Sequence, residues 1–480
     1  MASIKQLGKE TLIYGTSTIL ARLLNFCLVP FYTYYLAQAQ YGYISTTFAA
    51  IALLNVIFLF GMDQSFLRFA SEKGQKTEVF QHCFYGVLIN GAVLAVLLWL
   101  FAGPVAVVFG IGAQNAYLLH LAAVILFLDV LNMIAFTKLR LERRAWYFAG
   151  VRSASIVVNV LGNVVFIAYL HKGIASILWA NIFASLASLL LLSPVITREL
   201  FAKRPLFNPA LTHQMIRFAW PFVPSGLASL FVSVIDKPIL QHLVGSAQVG
   251  VYQANFKIGV FMMLLVSMFD QAWRPFFLAH ANEPDAKETF ARVFSFFFAA
   301  GSWFLLGLSF LIPPIIQSNI FGHFHLIAPA YWGGLNIIPL VLTGYFCYGL
   351  YVNFMVGPVM TKKTRVLMWI TLLGAAVSIT TNLTLVPLIG ILGAGWAVAL
   401  SYAAMASALF AFTQKNYPIP YEYKKVAWMA CICAAVAGAV YALRTQPAGV
   451  LLGVKITLLT LYPAFMFAVL RPRAAQTNQR

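Results

Sequence analysis

Arg22, Asp129 and Lys257 sit deep inside apolar stretches of this chain, and Asp236, nearer the end of its stretch beside Lys237, has a side chain too short to snorkel far. A charge at a bilayer centre costs roughly 2.5–3.5 kcal/mol on the insertion scale, so each needs a reason. Deep cations create a positive potential that attracts anions. Deep carboxylates can take up a proton or a cation, which makes Asp129 and Asp236 candidates for ion coupling, or they can form structural ion pairs. Lys237 and Lys455 lie nearer to the ends of their stretches, where snorkelling explains them as well as function does. Two polar stripes accompany these charges. Arg152, Ser155, Asn159 and Asn163 recur at spacings of three, four and four, and Ser225, Ser229 and Ser233 recur every four. Such spacing puts each set on one helical face. The asparagines either bond a neighbouring helix or line a wet cavity, and the serines either line one or let helices pack closely.

The elements that hold these residues are membrane spans. The chain of 480 residues is 61% hydrophobic and only 9% charged. About fourteen runs approach the ~20 residues that cross a ~30 Å hydrocarbon core. Arg22 belongs to the first (10–36), Asp129 to the fourth (116–137), Arg152 to the fifth (149–170), Asp236 and Lys237 to the seventh (215–243), and Lys257 to the eighth (248–270). Nearly all of the 32 Lys and Arg fall in every second connection, as in Lys138–Arg140–Arg143–Arg144 or Lys362–Lys363–Arg365. That asymmetry predicts an even number of spans with both termini cytoplasmic. Prolines 221 and 224 predict a bend in the seventh span.

The same distribution excludes other classes. The net charge of +19 is spread over short loops and tails, so it reads as topology and attraction to anionic lipid rather than a nucleic-acid surface. The polar first ten residues and the long first run do not read as a cleavable signal. Cys27, Cys83, Cys347, Cys431 and Cys433 read as small buried hydrophobes. His323 and His325, in an outer loop without a carboxylate, make a weak metal signal, so no metal and no cofactor is expected. No Walker A motif, nucleophile elbow or HExxH is present. The 13 acidic residues are scattered, and no loop is long enough for a soluble domain, so the chain is not expected to be an enzyme.

An internal repeat organises the spans. Pro30, Ala39, Gln40 and Gly42 recur as Pro238, Ala247, Gln248 and Gly250 at a constant offset of 208. Asp63-Gln64 recurs as Asp270-Gln271 one residue out of that register, and Asn163 matches Asn382. The first and seventh spans run the same way, which predicts parallel halves related by an axis along the membrane normal. The expected fold is all-α and polytopic: two six-helix lobes, 1–213 and 214–420, and two extra helices in 421–480. Two lobes rocking about a central site would give alternating access.

Three segments carry a family resemblance. Leu23-Leu24-Asn25-Phe-Cys-Leu-Val29-Pro30-Phe-Tyr-Thr-Tyr with Gln40-Tyr41-Gly42 resembles the first helix of the bacterial polysaccharide biosynthesis flippases, the Wzx-like group. Trp220-Pro221-Phe-Val-Pro224-Ser225-Gly226, Val234-Ile235-Asp236-Lys237 and Val249-Gly250-Val251-Tyr252 through Lys257-Ile258-Gly259 resemble the start of their second half. Leu139-Arg140-Leu141-Glu142-Arg143-Arg144 resembles their basic loop. The resemblance implies the multidrug/oligosaccharidyl-lipid/polysaccharide exporter superfamily and a lipid-linked, undecaprenyl pyrophosphate oligosaccharide as cargo, moved across the bacterial cytoplasmic membrane. It implies substrate contacts from Arg22, Asn25, Asn159, Asn163, Lys237 and Lys257, ion coupling at Asp129 or Asp236, and a polysaccharide polymerase and glycosyltransferases as pathway partners. A multidrug/toxin antiporter and a lipid II flippase are the alternatives within the superfamily. A membrane-embedded glycosyltransferase or ligase is the alternative outside it.

Overall fold

The computed structural model describes residues 23, 26–72, 76–171, 173–202, 208–281, 283–319, 322 and 325–470. Arg22, Asn25 and His323 lie outside the described residues. Helix is the only regular structure among those described, as lipid demands of a chain whose backbone must satisfy its own hydrogen bonds. After α1 (26–35) come thirteen helices long and apolar enough to cross a membrane. They are α2 (Gln38–Ser71), α3 (Thr77–Leu100), α4 (Tyr117–Leu141), α5 (Ala145–Tyr169), α6 (Ala175–Phe201), α7 (Pro209–Val234), α8 (Ser246–Ala279), α9 (Ala286–Gln317), α10 (Pro329–Met360), α11 (Arg365–Ile389), α12 (Ile391–Asn416), α13 (Tyr423–Ala442) and α14 (Ala448–Phe467). The chain is thus a polytopic membrane protein of about fourteen helices.

Local sequence explains the irregularities. The seventh helix breaks at Trp220-Pro221, as its prolines predict, into Pro209–Ala219 and Phe222–Val234. A short helix, Asp236–Val244, follows it. Gly245, at φ 83°, then turns the chain into α8. Of the cysteines, Cys83 is buried, Cys347 and Cys433 are half-buried, and Cys27 and Cys431 are exposed. The expectation that all five are buried fails for a physical reason: hydrocarbon solvates the outer face of a span, so an apolar residue there gains little from burial. Ile89, Val96 and Leu100 of α3 point outward in the same way.

Contacts divide the chain into two compact units, Met1–Lys257 with Asn382–Ile391, and Ile258–Thr381 with Leu392–Arg480. The core of the first runs through Phe66, Phe80, Leu126, Val130, Leu139 and Leu192. In the second, α13 and α14 pack on α9 through Met429, Val436, Leu459 and Tyr462 against Leu306 and Phe310. Tyr462 and Ser302 share a 2.8 Å hydrogen bond there, and Trp303 donates to the Leu459 carbonyl at 3.0 Å.

Within the first unit the two copies of the repeated turn meet. α2 and α8 begin at Gln38 and Ser246, residues that correspond at the offset of 208. A Cβ on Gly42 would stand 1.8 Å from the Ser246 carbonyl oxygen, and one on Gly250 would stand 2.0 Å from that of Gln38. Each glycine therefore admits the start of the other helix, and the contact is reciprocal under the repeat. Proximity this close is open only to a residue without a side chain.

Candidate functional site

Of the residues singled out by depth, Lys257 lines one cavity of the first unit and Asp129 a second. The first, of about 370 Å³, is lined by Tyr32, Tyr41, Ser45, Asn181, Gln253 and Asn159, with Lys237 and Lys257. Lys257 follows the last full α-turn of Ser246–Phe256 and opens a single 3-10 turn, Lys257–Gly259. Its ammonium lies 5.8 Å from the Tyr32 ring centre and has no carboxylate partner among the described residues. Tyr32 itself donates to Asn163 Oδ1 at 2.9 Å. Asn163 is fully buried, and its amide nitrogen donates to the Asn159 carbonyl at 2.8 Å and to Asn159 Oδ1 at 3.1 Å. Asn163 thus positions α1 and α5, and Asn159 is the member of the pair that faces the cavity.

Lys237 and Asp236 form a closed cluster at the edge of this cavity. The Lys237 ammonium donates to Asp236 Oδ1 at 3.1 Å and lies 4.7 Å from the Phe256 ring centre. The Lys237 backbone N–H donates to the same oxygen at 3.0 Å, and the Tyr252 hydroxyl donates to Asp236 Oδ2 at 2.6 Å. Both side chains are buried. A buried pair of this completeness holds the Asp236–Val244 segment against α8, and the ammonium does not snorkel.

The second cavity, of about 480 Å³, is lined by Asn55 of α2, Asp129 and Asn132 of α4, Arg152, Ser155 and Asn159 of α5, and Asn181, Ser185 and Ser188 of α6. Ser185 donates to Asp129 Oδ1 at 2.6 Å, and Asn132 donates to the Ser185 carbonyl at 2.9 Å. Asn159 and Asn181 line both cavities, so the two are continuous in their walls. Asp129 and Arg152 face the same space, as the one-sided stripe on α5 requires. Ser225, Ser229 and Ser233 line neither cavity; Ser233 bonds back to the Ser229 and Leu230 carbonyls. Sequence reasoning missed Asn55, Asn132, Asn181 and Ser185. Asn132 was within reach of it, since it stands three residues after Asp129 on the same face. Asn181 and Ser185, four apart in the sixth span, were a second signal.

The family's sequence pattern, described as polysaccharide biosynthesis protein, matches residues 7–279, more than half of the chain. The chain belongs to the polysaccharide biosynthesis protein family. Both cavities of this family member lie within the matched segment. No curated protein matches the sequence. In fold the chain is similar to the lipid II flippase MurJ in an inward closed conformation, with 15% identity, 95% of this chain and 98% of MurJ covered, and a TM-score of 0.71. It is similar also to an outward-facing multidrug resistance MATE family transporter of the MOP superfamily, at 13% identity, with 85% and 95% covered and a TM-score of 0.61. The Vibrio cholerae MATE transporter VcmN gives 14% identity, 86% and 96% covered, and a TM-score of 0.57. These likenesses carry the fold: this member of the polysaccharide biosynthesis family has the architecture of that superfamily.

Proposed function

We propose that the chain is a flippase carrying an oligosaccharide on an undecaprenyl pyrophosphate carrier across the bacterial cytoplasmic membrane by alternating access, for surface polysaccharide assembly. The carrying observation is Lys257: a cation held in a membrane helix without a carboxylate partner among the described residues, facing a cavity rimmed by tyrosines and carboxamides. An unneutralised ammonium at that depth is costly unless an anionic ligand is its partner during turnover. Pyrophosphate meets that need, and Asn159, Asn181 and Gln253 supply bonding partners for sugar hydroxyls. An exporter of small cations would favour an acidic cavity, whereas the charged groups lining this aromatic one are Lys237 and Lys257. The charge asymmetry of the connections supports cytoplasmic termini. The polymerase and glycosyltransferases of the same pathway are its partners, and the chain itself makes and breaks no covalent bond.

Ion coupling is assigned to Asp129. Lys237 and Tyr252 occupy both oxygens of Asp236, whereas Asp129 receives one hydrogen bond, from Ser185, and opens on a polar cavity. The deciding experiment reconstitutes the purified protein in vesicles and follows the flip of a panel of undecaprenyl pyrophosphate-linked glycans, lipid II included. Preference for an oligosaccharide over lipid II, lost in Lys257→Gln, supports the reading. Equal transport by Lys257→Gln, or preference for lipid II or for small cationic drugs, overturns it.

A further inference from the structure

The Arg152 guanidinium has no protein ligand for its five donors among the described residues. Among the described residues it makes no hydrogen bond and no ion pair; it rests over the Phe136 ring at 4.5 Å and the Phe148 ring at 5.9 Å from their centres. Its neighbours explain how an unbonded guanidinium is tolerated there. Asp129 approaches from α4 and interacts with it electrostatically, while Arg140, also from α4, repels it. Asn55 of α2 and Asn181, Ser185 and Ser188 of α6 add only carboxamides and hydroxyls, and α3 adds no lining residue. Asp129 therefore balances Arg152 across the cavity without occupying its donors.

Two further atoms in the same cavity lack a partner among the described residues. Asn55 Oδ1 and Asn132 Oδ1 are buried with no hydrogen-bond donor among those residues. A buried acceptor left bare costs about 1–3 kcal/mol. A fork of free donors beside bare acceptors fits an oxyanion that is attached to a group bearing hydroxyls. The cavity's 480 Å³ falls within the ~300–1,000 Å³ usual for ligand sites.

We propose that Arg152 is a second anion station on the cargo's route, with Asp129 as an exchangeable counter-ion that gives way when the cargo's oxyanion arrives. This rests on the reading above that the cargo is anionic, and adds to it a site separate from Lys257. Asn159 and Asn181 line both cavities, so the cavity of Lys237 and Lys257 is the neighbour of the one that holds Arg152. The oxyanion is the carrier's pyrophosphate or the carboxylate of an acidic sugar, two sources of one chemistry.

The test measures binding to the purified full-length protein in nanodiscs, with farnesyl pyrophosphate, farnesol and galacturonate as probes. Arg152→Gln should weaken farnesyl pyrophosphate binding about tenfold, the worth of one or two charge-assisted hydrogen bonds, and Arg152→Lys should weaken it less. Asp129→Asn should tighten it, and the double variant should match Arg152→Gln alone. Arg152→Gln losing galacturonate but keeping farnesyl pyrophosphate retains the station and assigns it to an acidic sugar. Unchanged binding of both anions by Arg152→Gln, with farnesyl pyrophosphate weakened in Lys257→Gln, overturns the station and leaves the anionic cargo standing. Weaker binding in Asp129→Asn overturns the counter-ion role. Wild-type protein that holds farnesol as tightly as farnesyl pyrophosphate and does not hold galacturonate overturns the anionic cargo itself. Should Arg152→Gln not fold, Arg152→Lys and Asp129→Asn decide the same points.

Discussion

Lys138 and Lys257 are both lysines in apolar helices, and the protein treats them oppositely. Lys138, on α4, is buried with its ammonium 2.8 Å from Glu142 and 3.1 Å from Glu199. Glu199 is held in turn by Thr77, which donates to it at 2.8 Å, and Gln81 ties α3 to the Glu199 and Leu200 carbonyls. That charge is saturated, and it joins α3, α4 and α6 near their basic-loop ends. Lys257 faces an aromatic ring and open space. The difference teaches how to read charge in a membrane protein: a cation with its carboxylates is architecture, and a cation without them is waiting for a ligand.

The largest expected effect comes from inverting this pair. Lys257→Gln should abolish most glycan transport while leaving the thermal unfolding of the purified protein nearly unchanged. Lys138→Met should do the reverse. It leaves Glu199 and Glu142 without their cation, at a cost of about 3–5 kcal/mol for a broken buried pair, yet transport per folded molecule should persist. Parallel transport and unfolding assays check both. Loss of stability in Lys257→Gln would erase the contrast.

A second comparison sets Asp129 against Asp236. Asp129→Asn should flatten the dependence of transport on pH and sodium. Asp236→Asn should keep that dependence and lower stability, because Lys237 and Tyr252 lose their acceptor. Smaller still, Gly42→Ala and Gly250→Ala should each destabilise by similar amounts, about 1–3 kcal/mol as for overpacked contacts, since each pushes on the other's helix start. Unequal losses in thermal unfolding would argue against the reciprocity of the contact.

The smallest effect lies outside the spans, at Glu422. Burial works against its charge, but hydrogen bonds from Lys425 and Ser295, with the charges of Lys425 and Arg292, hold its carboxyl below the usual range. A carboxyl depressed on folding stabilises above its unfolded value of about 4.3 and loses that contribution as pH falls further. Glu422→Gln should therefore remove a shallow slope from the unfolding temperature below about pH 4.5; an identical slope in both proteins would exclude the role. Partial exposure keeps the effect small.

Much of the fold was legible because hydropathy and the placement of Lys and Arg report on spans directly. The bend at Pro221 was legible because proline acts locally. The meaning of individual charges was not. Lys138 looked like one of a run of loop cations, because Glu199 lies on another helix and 61 residues away. Asp236 and Lys257 both looked like charges in need of a partner. Only the Tyr252 hydroxyl and the Lys237 ammonium, brought together by the turn at Gly245, separate a satisfied carboxylate from an ammonium with no carboxylate partner among the described residues. Arg152 was visible within its stripe, but its opposing charge on α4 and the bare carboxamides of α2 and α4 follow only from tertiary packing. Arg22 and Asn25 belong to the part of the sequence where structure adds nothing to their assignment.

The meeting of Gly42 with Ser246, and of Gly250 with Gln38, also bears on how the two halves can diverge. Elsewhere the copies have drifted freely: Tyr-Tyr-Leu in one turn stands against His-Leu-Val in the other. At the crossing neither copy is free, because each hydrogen side chain is the space into which the other copy's backbone fits. Inheritance there is joint. Among homologues, positions 42 and 250 should stay glycine together or change together with a wider crossing, and a lineage that alters one alone should carry a shift in the first turn of the opposite helix.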